Sequence, residues 1–271
     1  MKELKGRVAV VTGAGSGIGR AVAAALAEEG MQVAATDVDP AAAKRTCQLI
    51  GERGGSARSY GLDVADKGSI ENAAERITGD LGLPSVLVNN AGIAVGGYFL
   101  DTSPESWDRI IAINLMGVVH CCRAFVPAMA AGGAGGQVVN IASMLGYFGA
   151  RGVSAYCATK FGVVGFSECL RAELRDHGIG VTAICPGVVR TNIIQSGVLE
   201  SATEDVEAKR ALIDRLYRKR NYSPERVARA VVRAIRRNRA VAPVTPEAWT
   251  AYYLKRWTPW LARWIARRDA V

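Results

Sequence analysis

Histidine occurs only twice in 271 residues, at His120 and His177, and the six cysteines (Cys47, Cys121, Cys122, Cys157, Cys169 and Cys185) form no C-x-x-C pair. With neither metal-ligand spacing nor a disulfide framework, the sequence argues against a metal site and for a reduced, cytoplasmic protein. The first residues, Met-Lys-Glu-Leu-Lys, lead directly into a strand-like run without the apolar stretch of a signal peptide. Read along the sequence, no apolar run reaches membrane-spanning length, so a soluble body is expected. That body also lacks net charge: residues 1–198 hold 17 Lys and Arg against 17 Asp and Glu, whereas the rest hold 17 against 8. The net charge of +9 is therefore confined to the end of the chain, and so are four of the five tryptophans (Trp249, Trp257, Trp260 and Trp264).

What is present is a recurring strand, turn and helix pattern. Residues 7–12, 32–37, 57–62, 85–89, 137–141, 179–185 and 240–244 are short apolar runs separated by helical periodicity. Runs apolar on both faces belong to a parallel sheet covered on each side by helices. The reading is one α/β domain over residues 1–246, a Rossmann-type, doubly wound parallel sheet of seven strands, followed by a basic, Trp-rich extension over 247–271. Ser223-Pro-Glu225 marks a helix start with Ser223 as N-cap. Beyond it, Arg226, Arg229, Arg233 and Arg236 fall on one helix face and Val227, Val231 and Ala234 on another, so much of the basic excess is a solvated face.

Thr12-Gly-Ala-Gly-Ser-Gly-Ile-Gly19 joins the first strand to its helix. Gly13, Gly17 and Gly19 let backbone approach a pyrophosphate, and the N–H groups around Ser16 and Ile18 open the helix toward negative charge. Its spacing departs from G-x-G-x-x-G because Ile18 stands at the third glycine position. Asp37 ends the second strand, 18 residues after Gly19, where a carboxylate accepts from ribose hydroxyls and repels a 2′-phosphate, which favours NAD over NADP. Arg20 and Asp39 are the neighbours that bear on that choice. Further along, Tyr156 and Lys160 are one helical turn apart. An ammonium at about 4 Å, at an effective dielectric of about 20, is worth roughly 4 kcal/mol. That is about 3 pKa units and would bring a phenol of pKa about 10 near neutrality. Cys157 faces elsewhere and reads as a small buried apolar residue.

Thr12 to Gly19, Asp63-Val64, Asn89-Asn-Ala-Gly92, Asn114, Ser143, Tyr156-x-x-x-Lys160 and Pro186-Gly187 followed by Thr191 resemble, in order and spacing, the short-chain dehydrogenase/reductase family. The resemblance runs from about residue 5 to 192 and is to the compact, single-domain branch. It implies that Tyr156 exchanges a proton with the substrate oxygen, Ser143 donates a hydrogen bond to that oxygen, Lys160 lowers the phenol pKa and binds ribose, and Asn114 holds a relay water. It also implies that Asp63 and Val64 contact adenine, that Asn90, Ala91 and Gly92 line the adenosine side, and that Val189 and Thr191 meet the carboxamide. The implied activity is NAD(H)-dependent interconversion of a secondary alcohol and a ketone. An NADPH-dependent carbonyl reductase and a catalytically idle NAD-binding sensor or scaffold are the alternatives.

In this fold residues 192–222 are the expected lid. Ile193, Ile194, Val198 and Leu199 would roof, and Leu145, Tyr147, Phe148, Val95 and Phe99 would wall, a site for a lipophilic alcohol or ketone such as a steroid, retinoid or fatty chain. A homo-oligomer, dimer or tetramer, is expected. In the tail, Trp257, Trp260, Leu261, Trp264 and Ile265 are expected on one side of a proline-bent helix, with Arg256, Arg263 and Arg267 nearer the other. Packing onto a neighbouring subunit or the enzyme's own surface is the first expectation for that face and peripheral contact with an anionic membrane the second. Nucleic acid is not expected, because no recognisable module accompanies the charge.

Overall fold

The computed structural model describes residues 1, 3–191, 193, 197–201 and 205–267, apart from the side chains of 209 and 217–219. Ile194 of the expected roof and the last residues of the chain lie outside them. Strands β1 (Val8–Thr12), β2 (Gln32–Asp37), β3 (Ser56–Gly61), β4 (Pro84–Asn89), β6 (Gly136–Ile141), β7 (Ile179–Cys185) and β9 (Val241–Pro243) form one seven-stranded sheet in the order β3-β2-β1-β4-β6-β7-β9, with every pairing parallel. Side chains of the central strands are buried on both faces, which is why these runs read as continuously apolar. Two-residue strands β5 (Val95–Gly96) and β8 (Val198–Leu199) pair separately, joining the segment expected as a lid to the loop after β4. The sequence reading did not include that pairing.

Helices cover both faces. On one, α1 (Gly17–Glu28) packs against α8 (Pro224–Arg237), where Leu26, Val227, Val231 and Ile235 are buried. The arginines of α8 stay outside, and Arg236 pairs with Glu29. Ser223 occupies the N-cap position of α8 but makes no capping bond. Its hydroxyl instead donates to Glu225, and this bond, foremost, holds the Glu225 carboxyl below its ordinary range. The same sheet face also carries α2 (Pro40–Glu52). The other face holds α3 (Lys67–Leu81), α4 (Pro104–Ile111), α5 (Gly117–Ala131) and α6 (Ser154–Glu173).

α4 and α5 run on through a π-helical turn, Ala112–Met116, to make one helix of 28 residues, Pro104–Ala131. By length and composition this helix could cross a membrane, contrary to the expectation from the sequence. Its apolarity has another cause: Val118, Cys121, Cys122, Phe125 and Met129 are buried in the core beneath Val10, Leu87 and Val138.

After α7 (Val206–Arg220) and α8, the chain closes with α9 (Pro246–Trp257) and α10 (Pro259–Ile265). Ala251, Ala262, Leu254 and Ile265 face the body and pack on Phe148. Trp257, Trp260 and Trp264 are on the outside, 78%, 64% and 50% exposed. The tail thus does not put all its large apolar groups on one side. Ile265 turns inward while the tryptophans turn out.

Under the sheet centre a buried polar chain links β4, β6 and α6. The Asn89 amide donates to Asn140 Oδ1 at 2.8 Å, and the Asn140 amide donates to Ser167 Oγ at 2.8 Å. Removing one partner leaves a buried group without its bond. Asn140→Ala is therefore expected to cost about 1–3 kcal/mol of stability, read as a lower midpoint in urea unfolding.

Candidate active site

The strand order reverses direction between β1 and β4, and a crevice opens at the carboxyl ends of these two strands. Thr12 ends β1 and Asn89 ends β4. The Thr12 hydroxyl accepts from the backbone N–H groups of Asn90 and Ala91, both at 3.0 Å, and the Asn90 amide donates to the carbonyls of Thr12 (2.9 Å) and Gly13 (3.1 Å). The two strand ends are tied into one platform. Asn90 and Ala91, expected to line the adenosine side, thus hold the glycine loop in shape.

A Cβ at Gly19 would lie 2.1 Å from the Gly13 carbonyl oxygen, and Gly13 itself takes φ +62°. No other residue fits either position. Ser16 is the N-cap of α1 yet makes no side-chain cap, so the amides of Gly17, Ile18 and Gly19 open into the crevice in the manner of an anion site. Thr191 Cγ2 would be 3.3 Å from a Cβ at Gly17, which brings the far loop against the glycine turn. Val189 is buried beside it.

Asp37 Oδ2 accepts from the Gly15 N–H at 2.8 Å and Oδ1 from the Asp39 N–H at 3.0 Å, leaving lone pairs on each oxygen at the crevice edge. Arg20 is turned inward: its guanidinium donates to the Gly15 carbonyl and, through Nε, to Thr46 Oγ1 at 3.2 Å. Asp63 Oδ1 accepts from the Ala65 N–H, while Val64 is buried against Gly117 of α5.

The titratable groups meet around the start of α6. Lys160 is buried, and its Nζ donates to the Ile141 carbonyl at the end of β6, 3.0 Å away. The same Nζ lies 5.6 Å from the Tyr156 ring centroid. Gly92 closes the group: a Cβ there would be 3.1 Å from Asn114 Oδ1 and 3.7 Å from Lys160 Nζ. Asn114 sits in the π turn, fully buried, its amide donating to the Ile93 carbonyl (2.9 Å) and its Oδ1 accepting from the Ile93 N–H (2.8 Å). Ser143 follows β6 by two residues and caps a 3-10 turn, accepting from the Leu145 N–H at 3.1 Å. Asn114, Lys160 and Tyr156 are thereby brought together with Gly92, and Ser143 stands at the end of the strand that holds Lys160. Burial pushes the Lys160 ammonium down from 10.5 to about 8. Cys157 is buried, and burial pushes its thiol up, away from nucleophile chemistry.

Val95 of the expected walls and Val198 of the expected roof pack with Tyr156, Ile110 and Trp107. Phe148 belongs instead to the contact with the tail, because Ala251, Ala262 and Ile265 cover it. Phe99 is 68% exposed and meets Trp107 edge-on, so it forms rim and not wall. Tyr147 donates its hydroxyl to the Ala248 carbonyl at 2.6 Å, bracing the wall against α9.

Three supports were not among the sequence candidates. Glu200 accepts from the Ser103 N–H (2.9 Å), the Ser103 hydroxyl (2.8 Å) and the Ser106 hydroxyl (2.9 Å), which fastens the segment after β8 to α4. Burial pushes its carboxyl up, but those bonds prevail and hold it below the ordinary range. Thr245 and Glu247 accept from the N–H groups of Gly187 (3.1 Å) and Val188 (3.0 Å), and Arg220 pairs with Glu247. The Thr-Pro-Glu pattern at 245–247 signals a helix start, but its second role depends on a partner 58 or 59 positions away.

Comparison with known proteins bears on what this crevice is. The model of the family "short chain dehydrogenase" matches residues 7–200. "Probable oxidoreductase EphD" of Mycobacterium tuberculosis is 45% identical over 260 residues, covering 95% of this chain and 44% of its own length. The chain thus spans less than half of that relative. The (3R)-3-hydroxyacyl-CoA dehydrogenase of Canis lupus familiaris is 38% identical over 200 residues, covering 71% of this chain and 77% of the relative. The crystal structure of a short-chain dehydrogenase/reductase from Burkholderia phymatum in complex with NAD superposes with a TM-score of 0.89 at 29% identity, covering 100% of this chain and 99% of that one.

The buried ammonium has a measurable signature. Below about pH 8 both folded and unfolded chains hold the Lys160 proton, and the fold bears the whole cost of burying the charge. Between about 8 and the ordinary 10.5 only the unfolded chain holds it, so the Lys160 contribution to stability rises with pH across that window. The buried thiols of Cys121 and Cys185 are pushed up by burial and pull the opposite way, so the comparison is with Lys160→Met. The wild-type minus variant unfolding free energy is expected to climb in favour of wild type from pH 8 to 10.5; a difference independent of pH would mean that no ammonium is buried there.

Proposed function

The chain belongs to the short-chain dehydrogenase family, and on that premise we propose that it interconverts a secondary alcohol and a ketone by hydride transfer, with NAD(H) as cofactor and a lipophilic substrate. The observation that carries the reading is the cluster of Lys160, Asn114 and Tyr156 around Gly92, at the end of the crevice opposite Asp37. The glycine loop fits a dinucleotide: side chains at Gly13 and Gly19 would collide with backbone, and the first turn of α1 opens its amides to a pyrophosphate.

When bound, the nicotinamide supplies the hydride acceptor or donor. The chain's own residues do the rest. Tyr156 passes its phenolic proton to a carbonyl oxygen, or takes one from an alcohol, and Ser143 donates a hydrogen bond to that oxygen as charge develops on it. Lys160, charged at neutral pH, stabilises the phenolate through the field of its ammonium. Its placement under the Ile141 carbonyl fixes that charge against Tyr156. Asn114, pinned by two bonds to Ile93, holds the side of the lysine away from the substrate, where a water would pass protons onward.

NAD is favoured by Asp37, whose carboxylate repels a 2′-phosphate, and by Arg20, whose guanidinium is committed to Gly15 and Thr46. A lipophilic substrate is favoured by the apolar wall of Val95 and Val198 against Tyr156. A 3-hydroxyacyl-CoA, as in the name of one relative, is a secondary alcohol on a fatty chain and fits that class. An idle sensor is disfavoured because it has no use for an ammonium buried at the expense of stability. We assign the enzyme to the reducing cytoplasm, consistent with its six free thiols. We assign it to a homo-oligomer, in which a second subunit would cover Ile111, Met116 and Phe161, 37–39% exposed on two packed helices.

Tyr156→Phe is expected to lower kcat about 10²–10⁴-fold while NADH binding persists; undiminished turnover would remove the mechanism. Asp37→Ala is expected to raise the NADP+ to NAD+ ratio of kcat/KM about tenfold, the equivalent of about 1.4 kcal/mol. Both are read by NADH or NADPH absorbance in a screen of long-chain and short polar secondary alcohols.

A further inference from the structure

The outer face of the tail is neither core nor part of the site, yet it concentrates the chain's tryptophan. Trp257, Trp260 and Trp264 are 78%, 64% and 50% exposed, and Tyr253 is 52% exposed. Together the three indoles present on the order of 400 Å² of apolar surface, comparable to the largest patch a soluble monomer usually shows. Interleaved with them are Lys255, Arg256, Arg263 and Arg267, with no acidic residue between 248 and 267.

This face continues, through Arg151, to the loop that carries Tyr98. Arg151 donates to the Arg267 carbonyl at 3.2 Å and places its guanidinium 5.3 Å from the Tyr98 ring centroid. Tyr98 leads into Phe99 and Leu100, which are 68% and 91% exposed. One residue therefore ties the end of the tail to an apolar loop that follows β5, itself paired to β8. Among the described residues of these stretches, 98–101, 151 and 253–267, five cations stand against one anion, Asp101.

We propose that this rim docks the enzyme on an anionic lipid bilayer, with Trp257, Trp260, Trp264, Phe99 and Leu100 seated at the headgroup level and the cations on the lipid phosphates. Indole rings favour that depth, and lysine and arginine beside them favour anionic lipid. Charge selects the bilayer over a second copy: a two-fold contact sets the same patch against itself, cation against cation. In this orientation the pocket mouth opens at the membrane, so that a lipophilic substrate need not cross water. That consequence rests on the function proposed above, whereas the docking does not.

The test is co-sedimentation of the full chain with vesicles of phosphatidylcholine containing one third phosphatidylglycerol, alongside pure phosphatidylcholine, at low and high salt. Binding to the anionic vesicles is expected, roughly tenfold weaker at high salt or on phosphatidylcholine alone, with tryptophan emission moving to the blue on binding. Two variants, the triple Trp257→Ser, Trp260→Ser, Trp264→Ser and the double Lys255→Gln, Arg263→Gln, are expected to lose about tenfold in vesicle affinity while keeping the parent's melting temperature and NADH affinity. Absence of binding to the anionic vesicles overturns the proposal. So does binding that survives in both variants, and so does a fall of the triple variant from oligomer to monomer without any vesicle binding by the parent, which assigns the face to a second copy. Vesicle binding is read without any substrate, so its failure and that of the proposed reaction are distinguishable.

Discussion

A single ammonium held inside the protein organises the functional half of the molecule. Lys160 reaches from α6 to the carbonyl that ends β6, and this one bond joins the helix carrying Tyr156 to the strand leading into Ser143. The neighbours of Lys160 pack closely enough to bury it, and that burial works against its charge and lowers its pKa. A Cβ at Gly92 would press on Asn114 Oδ1, 3.1 Å away, and stand in contact with Lys160 Nζ. The long helix departs from α geometry at Asn114 itself, a place where π turns are often functional.

The glycine turn answers to a different constraint, the close approach of backbone to backbone. Here the solution is steric. Glycines open the turn, and the Thr12 hydroxyl and Asn90 amide clamp β1 to β4 so that the loop keeps its shape. Asp37 finishes the crevice while also bonding to Gly15, so one carboxylate shapes the loop and sets the electrostatics of its edge.

How much of this the sequence could reveal follows from the range of each interaction. The central strands were legible because parallel strands buried on both faces are largely apolar, and the glycine loop and the Tyr156, Lys160 pair were legible because their geometry is local in sequence. Long-range bonds were not legible. Glu200 meets Ser103 across 97 positions, and nothing in the local pattern at either end names the other. The length of the apolar helix Pro104–Ala131 was not legible because Asn114, His120 and Arg123 interrupt its apolar residues and a π turn joins its two halves. Phe148 looked like pocket wall because its cover, Ala262 and Ile265, lies more than a hundred positions away. Ser223 had the identity of a cap, but its hydroxyl found Glu225 first.

The bonds from Thr245 and Glu247 to Gly187 and Val188 bear on how the tail stands to the domain. A segment that only decorated a finished enzyme could be cut away at its first residue. Here the start of α9 supplies the acceptors for backbone that follows β7, and the Ala248 carbonyl accepts from the Tyr147 hydroxyl. The start of the extension is therefore stitched into the domain through Thr245, Glu247 and Ala248, and a cut ahead of α9 would strip acceptors from Gly187, Val188 and Tyr147.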